Sequence, residues 1–201
     1  DSIVWELRLP RLLTAGAVGA GLALAGVVMQ SITRNPLADP YLLGLSSGAS
    51  LGAVAVLLLG SALLLPVAAF LGAMVALAAT LLLAGAFGRI TPGRTILAGI
   101  AVSALAGAIT SLIIFWTVTG DSYREILGWL LGSLAGARWP AVGIAATAIL
   151  MAGIPIMLRG RVLDAFAFGD TSATTLGVNV PATRWIMLTA AALLTGAMVS
   201  V

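Results

Sequence analysis

The chain has 201 residues, of which 61% are hydrophobic and 8% charged, with a mean hydropathy of +1.15. An ordinary soluble domain is about a quarter charged, so this composition is that of a membrane protein. All ten basic residues are arginine against seven carboxylates, and a net charge of +3 is small beside the apolar mass, so the pI near 10.6 is no sign of a nucleic-acid partner. Without cysteine there is no disulfide framework and no zinc-thiolate or iron–sulfur site, and the redox compartment is not readable.

A helix needs about twenty apolar residues to cross roughly 30 Å of hydrocarbon. Uncharged runs occupy 12–33, 40–64, 66–88, 95–120, 139–158 and 185–201. They predict an all-α polytopic transmembrane bundle of about six spans. The uncharged stretch 126–137 is too short to cross. All seventeen charges fall outside these runs, as expected if a charge at a helix centre costs about 2.5–3.5 kcal/mol. If the first span runs inward, Arg34, Arg89, Arg94, Arg159, Arg161 and Arg184 face the cytoplasm. Arg8, Arg11, Arg124 and Arg138 then face out, and the positive-inside rule favours this orientation by six to four.

The first span, TAGAVGAGLALAGVVMQ, is small on nearly every face, which places it in the middle of the bundle with neighbours all round. It runs into QSITRNPLADPYLLG, a polar stretch between two apolar ones. Pro36 and Pro40 lack backbone donors and disfavour helix at the preceding residue. Asn35 and Asp39 can bond nearby amides, and Arg34 can meet headgroups or a neighbouring loop. The stretch reads as a helix-breaking elbow. Beyond it, small residues four apart form ladders at Gly44, Gly48 and Gly52, at Gly99, Ser103, Gly107 and Ser111, and at Gly128, Gly132 and Gly136. Such ladders let helix backbones approach closely in lipid.

Residues 159–184 make a connection of about 26 residues, long enough to hold structure of its own. Asp170 is a suitable N-cap for a short helix over TSATTL, Gly177 a left-handed stop, and Pro181 a first-turn residue of the next helix. The last run ends in TGAMVSV with no cap or flanking charge, and the chain starts at Asp1 rather than an initiator. A fragment of a longer polytopic subunit, a single transmembrane domain cut at both ends, is the expectation, and the first apolar run is too long and glycine-rich for a signal-peptide core.

Several activities lack the residues they need. There is no lysine, so no GxxxxGK[ST] phosphate-binding loop, and no histidine. No ionisable group lies within an uncharged run, which removes the usual proton relay of a carrier. No nucleophile with a base, carboxylate pair or metal-ligand cluster can form at membrane depth, so the chain is not expected to be an enzyme. A transporter subunit energised by another protein fits, with an ion-coupled secondary carrier or a channel subunit as the competing class.

RLPR at 8–11, RNPLADPYLLG at 34–44 with the following SSGAS, TILAGIAVSAL at 95–105, WLLGSLAGARW at 129–139 and FGDTSATTLGVNV at 168–180 stand in family order along nearly the whole chain. Together they resemble the FecCD-like iron-chelate and cobalamin permease family, the transmembrane subunits of type II ABC importers. The resemblance implies a ten-helix subunit, of which this sequence begins before the second helix and stops within the seventh. It further implies a second permease subunit, identical or closely homologous, two ATPase subunits that bind the ATP, a substrate-binding protein, and the bacterial cytoplasmic (inner) membrane. The cargo would be a ferric siderophore, haem or cobalamin, and the chain would carry no cofactor or metal of its own.

The same resemblance assigns roles to residues. Arg8 and Arg11 would pair with acidic residues of the binding protein, the alternative being that they anchor the helix end at headgroups. Thr91, Pro92 and Gly93, within GRITPGRT, would narrow the inner end of the path. Gly169, Asp170, Ala173, Leu176 and Gly177 match the family's coupling segment, in which Asp170 stands where Glu is frequent. Arg34, Asn35, Pro36, Asp39 and Pro40 remain assigned to the elbow.

Overall fold

The computed structural model describes residues 2–59, 64–86, 88, 91–117 and 121–201, with 117 and 121–125 described by backbone alone. Arg89, the side chain of Arg124, and parts of the expected spans at 60–63, 87 and 118–120 lie outside the described residues. The remainder is an all-helical bundle: α1 (Leu9–Thr33), α2 (Leu45–Leu58), α3 (Leu65–Gly85), α4 (Pro92–Thr117), α5 (Asp121–Leu131), α6 (Trp139–Ala148), α7 (Ile154–Leu158), α8 (Gly160–Ala167), α9 (Asp170–Thr175) and α10 (Val180–Val199). Among the described residues, five helices are long and apolar enough to cross a membrane: Val4–Thr33, Leu65–Gly85, Pro92–Trp116, Trp139–Leu158 and Val180–Val199. The remaining expected span, 40–64, is described as the 14-residue α2, with a 3₁₀ turn at Pro40–Leu43 ahead of it and 60–63 outside the described residues.

Two spans contain π-helical turns, Val4–Arg8 ahead of α1 and Ile149–Gly153 between α6 and α7. Each closes on the residue just before a proline: Leu9 N–H bonds the Val4 carbonyl ahead of Pro10, and Ile154 N–H the Ile149 carbonyl ahead of Pro155. Proline can neither donate to the residue four back nor tolerate its carbonyl, and a locally widened turn accommodates both defects.

Among the described residues, α10 is more buried than α1. In the most apolar stretch of α10, 56% is buried, against 28% in the helix containing α1. Met187, Leu188, Ala191, Ala192 and Leu194 of α10 join Ala25, Val28, Met29 and Ile32 of α1 in one core. A side chain added at Gly21 would stand 2.8 Å from the Met198 side chain, so α1 meets α10 through its small residues. Within this chain, methyls at Gly16, Gly19 or Gly26 would meet nothing within 4 Å, so these positions of α1 make no close contact with the other described helices. Small residues permit close approach from any side, but they do not say which side is used.

The ladders behave differently from one another. Gly48 and Gly52 of α2 fit against Gly72 and Ala68 of α3, with each helix's backbone filling the space a side chain would need. Gly99 of α4 fits in the same way against the Leu42 carbonyl, whereas Gly107 faces open space. Gly128, Gly132 and Gly136 are not a ladder: α5 ends at Leu131, Gly132 takes a φ of +76°, and Gly136 belongs to a 3₁₀ turn at Leu134–Gly136. A left-handed residue in the middle of the series breaks the one helix on which its members could align.

Candidate functional site

One end of the bundle gathers two connections remote in sequence. At the elbow, α1 stops because Arg34 adopts a left-handed conformation (φ +52°), and Asn35 N–H bonds back to the Gln30 carbonyl at 3.2 Å. The Asn35 side-chain oxygen accepts from Leu37 N–H at 2.9 Å across Pro36. Asp39 Oδ1 accepts from Leu42 N–H at 3.1 Å, capping the turn that Pro40 begins. Buried Thr80 of α3 donates from Oγ1 to the Leu43 carbonyl at 3.0 Å, tying the turn to the bundle. Burial, with the Asp39 carboxylate adding to it, pushes the Tyr41 phenol above its ordinary pKa.

The second connection, 159–184, is folded throughout. α8 is strongly amphipathic and seats Leu163, Ala165 and Phe166. Gly169, at φ +99°, turns the chain into α9. Ala173 pins α9 down against Phe166, Val178 and Val180. The C-terminus of α9 has both bonds of a Schellman motif, Gly177 N–H to the Thr174 carbonyl and Val178 N–H to the Ala173 carbonyl, each 3.0 Å. Gly177 supplies the left-handed residue at φ +84°. Asn179 then caps α10 by accepting from Ala182 N–H at 3.2 Å.

Asp170 does not cap α9, which corrects the sequence reading. Gly169 occupies the cap position, and Asp170 is already the first helical residue, so its side chain makes no capping bond. The carboxylate goes to Arg184 instead, whose Nη2 donates to Oδ1 at 2.9 Å and Oδ2 at 3.0 Å. Arg184 is buried and its Cζ lies 5.7 Å from the centroid of the Phe166 ring. Three helices thus meet at one guanidinium. Arg184 stands within α10, five residues into it, because the helix begins at Val180 and not at the edge of the uncharged run. Sequence reasoning missed both Arg184 and Phe166.

The two connections touch. A side chain built on Gly169 would stand 3.2 Å from Arg34 Nη1, so the elbow arginine lies over the turn between α8 and α9. Of the two surroundings expected for Arg34, it has the neighbouring loop. Outside the Asp170–Arg184 pair, α9 presents Thr171, Thr174 and Leu176 outward, and a depression of about 640 Å³ is lined by Asp170, Thr174, Gly177, Asn179 and Pro181 among others.

The other sequence candidates lie apart from this cluster. Arg8 and Arg11 are exposed near the start of the first span; Arg11 Nη2 donates to the Ala135 carbonyl, and Trp5 stacks at a tilt on Trp139 with ring centroids 5.2 Å apart. Thr91 and Gly93 are exposed at the start of α4, and the Thr91 carbonyl accepts from both the amide and the hydroxyl of Thr95 at 3.0 Å. Ile90, between Gly88 and Thr91, is outside the described residues. Among the described residues, no group of His, Cys, Asp and Glu could hold a metal ion.

The whole chain, residues 1–201, matches the model of the FecCD transport family. This chain belongs to that family. FecCD relatives include the Fe(3+) dicitrate transport system permease protein FecD of Escherichia coli, 42% identical over 95% of this chain and 60% of the relative. The cobalamin import system permease protein BtuC of Halobacterium salinarum is 38% identical over 98% of this chain and 54% of the relative. The hemin transport system permease protein HmuU of Yersinia pestis is 38% identical over 98% and 61%. A solved structure of a metal-chelate type ABC transporter in an inward-facing conformation superposes with a TM-score of 0.91 at 31% identity, covering 99% of this chain and 64% of that one. The chain therefore spans between about half and two thirds of these relatives. It shares with them the fold of a multi-pass membrane protein.

Proposed function

We propose that this chain forms the greater part of a permease subunit of an ABC importer in the bacterial cytoplasmic membrane, carrying a ferric siderophore, haem or cobalamin inward. A second permease subunit, two ATPases and a substrate-binding protein complete the transporter, and ATP is bound by the ATPases alone. The observation that carries this reading is the match to the FecCD family over every residue, including the folded segment between the fourth and fifth long helices. That segment has the surface a partner needs. Phe168 and Leu176 are 78% and 71% exposed at the two ends of α9, and the depression beside Gly177 lies between α9 and the start of α10.

In this scheme Gly169, Asp170, Ala173, Leu176 and Gly177 form the element that meets the ATPase. Arg34, Asn35, Pro36, Asp39 and Pro40 make the elbow that backs it. Thr91, Pro92 and Gly93 narrow the cytoplasmic end of the path, and Arg8 and Arg11 meet the binding protein outside. The chemistry is mechanical: with no phosphate-binding loop in the sequence, free energy enters through a contact.

The test is to express the complete subunit with the genes beside it, purify it by a tag on the permease, and measure uptake of labelled ferric siderophore, haemin and cobalamin into proteoliposomes. Co-purification of an ATPase, and uptake of one cargo that stops when that ATPase's phosphate-binding lysine is replaced, are expected. Uptake driven by an ion gradient and indifferent to ATP would place the chain among secondary carriers.

A further inference from the structure

We propose that Arg184 is a positioning residue that joins α8, α9 and α10 into one lever, so that a push on α9 reaches the centre of the bundle instead of being absorbed in the turn beside it. The inference rests on the reading that α9 receives the ATPase and adds how its displacement is passed on.

The backbone alone is a poor transmitter here. Between the end of α9 and the start of α10 lie four residues, Leu176–Asn179, with Gly177 left-handed at φ +84° and open space where its side chain would be. Gly177 is exposed and the turn is held by two backbone bonds, with no side chain at Gly177 to brace it, and glycine has the widest choice of backbone conformations. Across this weak joint runs a side-chain bridge. Arg184 Nη2 holds both oxygens of Asp170 on α9 at 2.9 and 3.0 Å, and the guanidinium carbon lies 5.7 Å from the ring centroid of Phe166 on α8. The arginine side chain is 8% exposed and the aspartate 47%. The anchor is thus buried, and the end it grips is at the surface where a partner acts. Charge-assisted bonds of this kind are short and directional, and the aromatic face adds a second hold on the same cation.

The far end of the lever lies in the core. Arg184 belongs to α10, the most buried of the long helices, and Met187, Leu188 and Ala191 follow it into the core shared with α1. A tilt imposed on α9 and passed through Arg184 therefore moves α10 against α1. If Gly177 flexed instead, the displacement would end at the surface.

The pair's geometry supplies a discriminating variant. A single nitrogen, Nη2, makes both bonds to the carboxylate, so a lysine ammonium can make the same contact with Asp170. Lysine reaches less far than arginine, and glutamate's extra methylene on the other side offsets the difference. The double variant Asp170→Glu/Arg184→Lys keeps the bridge, whereas Arg184→Met keeps most of the side-chain bulk and removes it.

The experiment uses the complete transporter with its ATPase and binding protein in proteoliposomes. It measures co-purified ATPase, basal hydrolysis, stimulation by cargo-loaded binding protein, and uptake. Spin labels at Thr174 and Leu193, both exposed in this chain, report the distance from α9 to the middle of α10 in nucleotide-free and ATP-trapped states. Arg184→Met is expected to assemble and hydrolyse ATP at the basal rate, but to lose stimulation and at least tenfold of uptake. Its label distance should broaden between states while the native one stays constant. The double variant should recover at least half of the stimulation. Native stimulation and uptake in Arg184→Met would overturn the proposal. So would loss of assembly in Arg184→Met that the double variant does not repair, which would make Arg184 a folding residue only. If the native subunit brings down no ATPase, the underlying reading fails, and this result is separate from anything the variants do.

Discussion

Replacing Gly72 with alanine should loosen the seam between α2 and α3. A methyl there would stand 3.0 Å from the Gly48 carbonyl carbon and 3.1 Å from the Gly52 nitrogen, with the Gly48 carbonyl oxygen closer still. These neighbours are backbone and cannot rotate away, so the helices must separate. Carbon contacts are most favourable at about 3.5–4.0 Å, and a gap of 0.5–1 Å forfeits roughly a quarter to a half of each contact's attraction. Lipid gives no hydrophobic drive to offset the loss, since packing itself holds membrane helices together. The expected destabilisation is about 1–3 kcal/mol, the usual range for an overfilled interior. Gly16→Ala is the control, because a methyl at Gly16 meets nothing of this chain within 4 Å, and alanine's helix preference should leave it neutral or up to about 1 kcal/mol more stable. Equilibrium unfolding of the complete subunit in mixed micelles, followed by circular dichroism, measures both. If Gly72→Ala is as stable as Gly16→Ala, close backbone approach does not hold these helices.

Three further outcomes are expected. Gly177→Val places a β-branched residue at φ +84° in open space; the backbone conformation alone costs about 1–2 kcal/mol, so the helix stop should distort while assembly survives, and stimulated hydrolysis and uptake should fall together with basal hydrolysis kept. Arg8→Glu with Arg11→Glu should weaken capture of the binding protein, most at low salt where exposed charges are least screened, as read by surface plasmon resonance. Arg8→Glu alone is the cleaner arm, because Arg11 also holds the Ala135 carbonyl. Cysteines introduced at Thr91 or Gly93 in both permease subunits should crosslink more in one nucleotide state than in another, and equal crosslinking in every state would place the constriction elsewhere.

The spans were legible because hydrocarbon excludes charge, so a count of uncharged residues locates the membrane. Helix ends were less legible, for the same reason. Arg184 closes an uncharged run yet lies inside α10, because a charge outside the hydrocarbon can still be helical. The run from 40 to 64 hides a 3₁₀ turn, since Gly44 and the Asp39 cap act on the backbone and leave hydropathy unchanged. The glycine ladders were legible as spacing but not as contacts. Gly48 and Gly52 have a facing helix, while Gly128 and Gly136 do not share a helix at all. Asp170 shows how a local rule can name the right residue and the wrong partner. The capping pattern drew attention to it, but Gly169 had taken the cap position and the carboxylate was free to reach an arginine fourteen residues on.

The elbow and the segment 159–184 are best understood together. The elbow's Arg34 lies over Gly169, at the turn where α8 hands over to α9, and the elbow itself is anchored by Thr80 to α3 and by Gly99 packing on Leu42 to α4. A force on α9 therefore meets two resistances. One leads through Asp170 and Arg184 into α10, and the other through Arg34 into the connection that precedes α2. The first is a short bond to a buried cation; the second is the end of a flexible, exposed side chain that can yield. Stiffness decides the direction of travel, so α10 should move first while α2 and α3, held backbone to backbone by Gly48 and Gly72, and α4, packed at Gly99 on the elbow turn, act as the frame it moves against.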